Sequence, residues 1–139
     1  MFTTILVGVD GSEHALHAAR LAGEMARRFN ANLWVVACFD PVSRLLGEPD
    51  LSNLIAERMT QCESTVKQAL PVIGEIPGEL KTEILEGPAA NAILTVAETR
   101  QVDLIIIGRR GLGQIAGLLL GSQSQKVVAQ ATCPVLVLR

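Results

Sequence analysis

The alternation of two kinds of segment along the chain restricts its fold more than any other feature of the sequence. Short apolar runs such as Thr4–Val9 and Asp103–Gly108 are typical of strands that are buried on both faces of a parallel sheet. Between such runs, segments such as Ser12–Phe29 repeat apolar residues at helical spacing and carry their charges on the opposite side. Strands that alternate with helices predict an α/β fold, a doubly wound parallel sheet with helices on both faces.

Five strands and four helices follow from this pattern. We expect strands at Thr4–Val9, Leu33–Phe39, Leu80–Leu85, Asp103–Gly108 and Cys133–Leu138, and helices at Ser12–Phe29, Leu51–Val72, Ala89–Thr99 and Ser122–Ala131. The third strand alternates charged with apolar residues, which indicates a position near an edge of the sheet. No linker, repeat or low-complexity segment divides the sequence, so residues 1–139 are predicted to form one domain.

Charge and cysteine content exclude some classes of function. The net charge of −2 argues against a non-specific nucleic-acid binder, because such proteins carry a basic patch or stripe. The pairs Arg27-Arg28 and Arg109-Arg110 are too small for such a surface. The sequence has three cysteines, an odd number, at irregular spacing: Cys38, Cys62 and Cys133. This pattern fits neither a disulfide framework nor a zinc site. We expect three reduced thiols and no metal-binding cluster.

The N-terminal segment Met1–Glu13 has no basic region before its apolar run and no small-residue cleavage site, so no signal peptide is expected. No apolar stretch is as long as a transmembrane helix, which needs about 18 consecutive apolar residues. We therefore expect a cytoplasmic protein that does not enter a membrane.

A glycine-rich segment after the fourth strand is the strongest sign of a ligand site. Glycines stand there at positions 108, 111, 113, 117 and 121, directly before the last predicted helix. Glycine lets backbone N–H groups turn inward, and a helix N-terminus attracts anions. With the hydroxyls of Ser122 and Ser124, these groups favour a phosphate site over the alternative that the glycines only form a long, tight connection. A Walker A loop is excluded because no Gly-Lys pair exists, and the first strand lacks the dinucleotide fingerprint.

The spacing Gly108-x2-Gly111-x9-Gly121-Ser122 is similar to the G-x2-G-x9-G-[ST] motif of ATP-binding universal stress proteins. Four further segments resemble that family in the same order: Ile5–Ser12, Gly87–Ala89, Asp103–Gly108 and Ala131–Val137. The third-strand segment is one residue shorter than the usual G-x-P-A. Gln123 stands where an apolar residue is usual, and Ala37-Cys38 stands where many members have a histidine-valine pair.

This resemblance implies strand order 3-2-1-4-5, with ATP lying across the ends of strands one and four and Mg²⁺ accompanying the triphosphate. It implies that the base is lined by Val9, Val36, Ala37 and Cys38. It assigns Asp10 to the ribose or the adenine side, and Ile107 and Gly108 to the ribose. It assigns the phosphates to Arg109, Gly111, Gly121, Ser122, Gln123 and Ser124. No carboxylate is assigned to the metal, and Asp10 has a second interpretation as the N-cap of the first helix.

Three functions stay open at this point. The resemblance favours a stress-response regulator in which nucleotide occupancy changes a partner surface. The second is a slow ATPase or phosphotransferase. Hydrolysis needs an oriented base, and the glycine-rich loop has no Asp, Glu or His. No catalytic residue is therefore assigned. A scaffold that works without nucleotide exchange is the third. The same architecture would also accept a flavin or another adenosine-containing cofactor.

The resemblance and the apolar edge of the last strand together predict a homodimer that pairs through Pro134–Leu138, because exposed strand edges invite pairing. The run Leu118–Leu120 would serve as a partner-binding patch, a flap over the phosphates or a dimer surface, and the sequence does not separate these roles.

Overall fold

The computed structural model describes residues 1–109 and 121–139. The strands are β1 (Thr4–Gly8), β2 (Asn32–Phe39), β3 (Leu80–Glu86), β4 (Leu104–Gly108) and β5 (Val135–Leu138). The α-helices are α1 (Glu13–Phe29), α2 (Asp50–Ile73), α3 (Ala89–Thr99) and α4 (Ser122–Gln130), and a short 3-10 helix spans Arg44–Leu46. Each predicted element is present, and the ends agree to within two residues.

All five strands pair in parallel in one sheet of order β3-β2-β1-β4-β5. The predicted fold class and strand order are therefore confirmed. In the register, Ile5 of β1 stands opposite Leu33 of β2 on one side and opposite Leu104 of β4 on the other. β3 lies at an edge of the sheet, as the alternation of charged and apolar residues in its sequence predicted.

Helices cover both faces of the sheet, and this explains the continuous apolar runs in the central strands. Ile5 and Val7 of β1 belong to a core shared with α1 and α2, whereas Leu6 between them belongs to a core shared with α3 and α4. All three side chains are 0% exposed. Because successive residues of a strand point to opposite faces, a strand covered on both sides needs apolar residues at every position.

Local signals set the ends of α1. Ser12 is its N-cap, and the Ser12 hydroxyl accepts a hydrogen bond of 3.2 Å from the backbone N–H of Ala15. Asn30 ends the helix with a left-handed backbone (φ 54°), a conformation that asparagine tolerates. The N-cap of α1 is therefore Ser12 and not Asp10. Within the described residues, no helix has the length and apolar character needed to cross a membrane.

Candidate functional site

A cleft of about 990 Å³ opens where β1, β2 and β4 end. In a parallel sheet, the carboxyl ends of all strands share one edge, and ligands bind there at the point where strand order reverses. Here β1 is that point, since β2 lies on one side of it and β4 on the other. The first turns of α3 and α4 and the inner side of α2 complete the walls.

Most of the residues predicted for a ligand site are brought together in this cleft. Those that line it are Val9, Asp10, Val36, Ala37, Cys38, Ile107, Gly108, Ser122, Gln123 and Ser124. Arg109 and Gly121 are not among the lining residues. The Arg109 backbone N–H donates to the carbonyl of Leu138 at 2.6 Å, and Gly121 precedes the first turn of α4. Gly111 and Leu118–Leu120 lie outside the described residues.

One part of the cleft is apolar. Its floor is formed by the residues Val36, Ala37 and Ile107 at the ends of β2 and β4, which are each at most 5% exposed. Ile93 of α3 closes the same side. A floor of this kind suits a flat aromatic group, because ligand pockets are mostly apolar with few polar groups that fix orientation.

Another part of the cleft holds the amino ends of two helices. Neither α3 nor α4 has a side-chain hydrogen bond from its own N-cap residue, Pro88 and Gly121 respectively. The Ser122 hydroxyl is exposed there, while Ser124 is buried at 6% exposure. Helix N-termini carry partial positive charge and unpaired N–H donors, so this side of the cleft favours an anion.

Gln123 connects these two helix ends. The amide oxygen of its side chain accepts a hydrogen bond of 2.9 Å from the backbone N–H of Ala90, in the first turn of α3. The Gln123 side chain therefore joins the first turns of α3 and α4 beside the cleft. Its role as a ligand contact stays a prediction.

Asp10 stands at the carboxyl end of β1, where its carboxylate is exposed to the cleft. One oxygen, Oδ1, accepts hydrogen bonds from the backbone N–H of Ser12 at 2.9 Å and from the Ser12 hydroxyl at 2.6 Å. These bonds hold the carboxylate in one orientation at the mouth of the site. A second carboxylate, Asp40, lines the cleft after the end of β2.

The packing of β4 against α1 requires a glycine at position 108. A Cβ atom at Gly108 would lie 2.5 Å from the backbone carbon and oxygen of His14, far inside van der Waals contact. The end of β4 therefore packs directly on the first turn of α1, and only glycine allows that approach. This contact brings β4 and the start of α1 together at the base of the cleft.

The sequence model of the Universal stress protein family matches residues 1–139. The chain belongs to that family. A universal stress protein of Thermus aquaticus is 45% identical over 139 residues, and the match covers 100% of both chains. Among solved structures, the universal stress protein UspA from Lactobacillus plantarum is 31% identical with a TM-score of 0.84, covering 99% of this chain and 98% of that one. A universal stress protein in complex with cAMP is 25% identical with a TM-score of 0.74, covering 99% and 97% of the two chains.

Two parts of the cleft in this universal stress protein were missed by the sequence analysis. The segment Asp40–Ser43 after β2 was not predicted as part of a site, although it lines the cleft. One side of α2 also faces the cleft through Leu54, Arg58, Gln61 and Thr65. Their spacing of four, three and four residues is helical and was visible in the sequence, but which strand ends α2 crosses depends on tertiary packing.

The start of α3 is a further part of the cleft that was not predicted from the sequence. Gly87–Ala89 was matched only to a segment of the family, whereas Pro88, Ala89 and Ala90 line the cleft in the structure. Across the described ranges 1–109 and 121–139, no group of three or more His, Cys, Asp or Glu side chains is arranged to hold a metal ion.

Proposed function

We propose that this universal stress protein binds an adenine nucleotide in the cleft, with ATP as the ligand, and acts as a stress-response regulator whose partner surface depends on nucleotide occupancy. One observation carries the proposal. A single cleft joins an apolar floor at Val36, Ala37 and Ile107 to the amino ends of α3 and α4. A nucleotide has the same polarity, with an apolar base at one end and anionic phosphates at the other.

The base would pack on the floor near the end of β2, where Val9 and Cys38 also line the cleft. The phosphates would receive backbone N–H groups from the first turn of α4, together with the Ser122 and Ser124 hydroxyls. Asp10, whose Oδ1 is oriented by Ser12, is placed to accept a hydrogen bond from a ribose hydroxyl. Arg109 and Gly121 flank this arrangement in sequence, and their phosphate contacts are part of the proposal.

The relative in complex with cAMP supports the ligand class. Its ligand contains adenine, ribose and phosphate, and the two chains match over nearly their whole lengths. ATP shares the adenosine of that ligand and has a linear triphosphate on the 5′ oxygen in place of the cyclic phosphate. Mg²⁺ would arrive coordinated mainly by the phosphates and by water, as is usual for this ion. No protein carboxylate is required for that coordination.

Purification without added nucleotide, followed by denaturation and mass spectrometry of the released small molecules, tests the proposal. Calorimetry with MgATP gives the affinity. Gly121→Asp places a carboxylate at the N-cap of α4, where aspartate is a good capping residue but would repel phosphates. Thr132→Asp, an exposed position beyond the end of α4, is the control for added negative charge.

We expect ATP or ADP from the wild type and from Thr132→Asp, and none from Gly121→Asp. A wild-type protein that carries no nucleotide and shows no heat of MgATP binding would overturn the proposal.

We also propose that two copies pair through Pro134–Leu138. β5 is an edge strand of the described sheet, and Leu136 on it and Val128 on α4 expose 36% and 47% of their surfaces. Light scattering on the wild type at micromolar concentration should give twice the mass of one chain, and Leu136→Lys should give the mass of one. A monomeric wild type would contradict the pairing.

A further inference from the structure

Glu86, the last residue of β3, binds the segment that leaves β2. Its Oε2 accepts a hydrogen bond of 2.9 Å from the backbone N–H of Val42. Its Oε1 accepts a hydrogen bond of 2.7 Å from Nη2 of Arg44. The same contact is an ion pair between the two side chains. Arg44 in turn donates from Nη1 to the carbonyl of Val42 at 3.4 Å. One carboxylate thus fixes two residues that are more than 40 positions away in sequence.

The ladder between β2 and β3 places Glu86 at the point where the chain leaves the sheet. Phe39 of β2 stands opposite Glu86, and the N–H of Gly87 donates to the carbonyl of Phe39 at 2.9 Å. The chain then turns from the sheet towards α2, and Val42 meets the Glu86 carboxylate three residues later. The backbone hydrogen bond from Val42, followed by that from Arg44, lowers the pKa of Glu86 below its ordinary value.

The fixed segment is a wall of the cleft. Asp40, Pro41, Val42 and Ser43 all line it, facing Leu54 and Arg58 of α2. Val42 also packs, half-buried, against the core between the sheet and α1–α2. Because β2 ends beside the apolar floor, this wall borders the half of the cleft that would hold the base rather than the half formed by α4.

We propose that Glu86 is a positioning residue, which holds Asp40–Ser43 in the conformation that closes the base end of the nucleotide cleft. This inference rests on the proposed function. A wall that is fixed before binding loses less conformational freedom when the ligand arrives, and the ligand is bound more tightly for that reason. Glu86 itself does not line the cleft, so it acts through Val42 and Arg44.

The experiment compares Glu86→Ala with Glu86→Gln and with Glu83→Ala. The Gln variant keeps an oxygen that accepts from the Val42 N–H but loses the charge that pairs with Arg44. Glu83 is the matched control because it lies on the same strand and forms a similar ion pair, with Arg100 at 3.4 Å, away from the cleft. Each variant is measured for MgATP affinity by calorimetry and for hydrogen exchange of the Val42 amide by NMR.

We expect Glu86→Ala to weaken MgATP binding by about three- to tenfold, the range that loss of a hydrogen bond of ordinary strength produces. Exchange of the Val42 amide should accelerate in this variant. Glu86→Gln should recover part of both properties, and Glu83→Ala should match the wild type in both. Partial rescue by Gln distinguishes positioning of the wall from a general loss of stability, which urea unfolding of all three variants reports separately.

Two results would overturn the inference while leaving nucleotide binding intact. One is equal MgATP affinity in the wild type and in Glu86→Ala although Val42 exchange is faster. The other is unchanged Val42 exchange in Glu86→Ala. A wild type that binds no MgATP would instead overturn the proposed function, and with it the functional part of this inference.

Discussion

The side-chain oxygen of Gln123 lies 2.9 Å from the backbone nitrogen of Ala90, and this hydrogen bond joins the first turns of α4 and α3. Ala90 is 0% exposed, and this bond gives its N–H an acceptor within the protein. In the family pattern an apolar residue is usual at position 123. The glutamine in this chain therefore has a structural reason that does not depend on a ligand, namely satisfaction of a buried donor at a helix N-terminus.

Replacing Gln123 with alanine should lower the free energy of unfolding by about 1–2 kcal/mol, because a buried donor loses its acceptor. Urea denaturation at neutral pH measures the change. Gln130→Ala is the control, since Gln130 ends the same helix and is exposed. Equal losses in the two variants would show that the bond to Ala90 contributes nothing.

Gly108→Ala should destabilise the protein by about 2–3 kcal/mol, because the new Cβ would meet backbone atoms of His14 that are unable to move aside. Gly8→Ala offers a matched comparison on the neighbouring strand. There the Cβ would lie 3.0 Å from Cδ1 of Ile93, the end of a flexible side chain, so a loss of about 1 kcal/mol is expected. Thermal unfolding of both variants measures the difference. A larger loss for Gly8→Ala would contradict the close approach of β4 to α1.

Asp103 should make stability depend on pH in the acid range. Burial alone would raise the pKa of its carboxyl, but hydrogen bonds from the N–H groups of Thr3 and Thr4 and from the Thr3 hydroxyl outweigh that effect and lower it. Because the pKa is lower in the folded state, the Asp103 carboxylate stabilises the fold at pH values above its pKa in the unfolded chain, about 3.9. This stabilisation is lost as the pH falls through the pKa of the folded state.

Asp103→Asn should therefore cost about 1 kcal/mol at pH 7, a modest value because solvent screens part of the interaction. The difference from the wild type should shrink below about pH 4, where the wild-type carboxyl also becomes neutral. Urea unfolding from pH 7 down to the acid transition checks both statements. Glu98→Gln, at an exposed position near the end of α3, controls for the loss of one charge. A gap that stays constant with pH would contradict the role of the Asp103 charge.

ATP should protect Cys38 from alkylation, because its thiol lines the cleft and would lie under the base. At an ATP concentration ten times the dissociation constant, labelling by iodoacetamide should slow about tenfold. Cys133, which does not line the cleft, provides an internal control in the same sample. Burial, followed by the Asp103 charge, raises the pKa of the Cys133 thiol, so its labelling is slow with and without ATP.

Peptide mass spectrometry resolves the two sites. Burial raises the pKa of the Cys62 thiol as well, and Cys62, at 7% exposure, should react mainly after unfolding. Unchanged labelling of Cys38 at saturating ATP would contradict the placement of the base against the end of β2.

The elements of the fold were predictable because the signals that define them are local. Ser12 caps α1 through a bond to Ala15 three residues later, and the apolar run of β4 reflects burial on both faces of the strand. The position of β3 at an edge was also predictable, because its charged residues need solvent. The site residues at the strand ends, Val9, Asp10 and Ile107 among them, were assigned by the resemblance to the family; the structure places them in one cleft, and their contacts with a ligand stay a prediction.

By itself, the sequence determined the order and type of the elements, the parallel sheet and the family, because periodicity, caps and spaced glycines act within a few residues of each other. Only the tertiary structure decided which side of α2 faces the cleft, that Glu86 would meet Val42, and that Gln123 would meet Ala90. The two hydrogen bonds join residues that are 44 and 33 positions apart in sequence. Such pairs depend on how the helices cross the sheet, and that is set by the packing of the two cores as a whole.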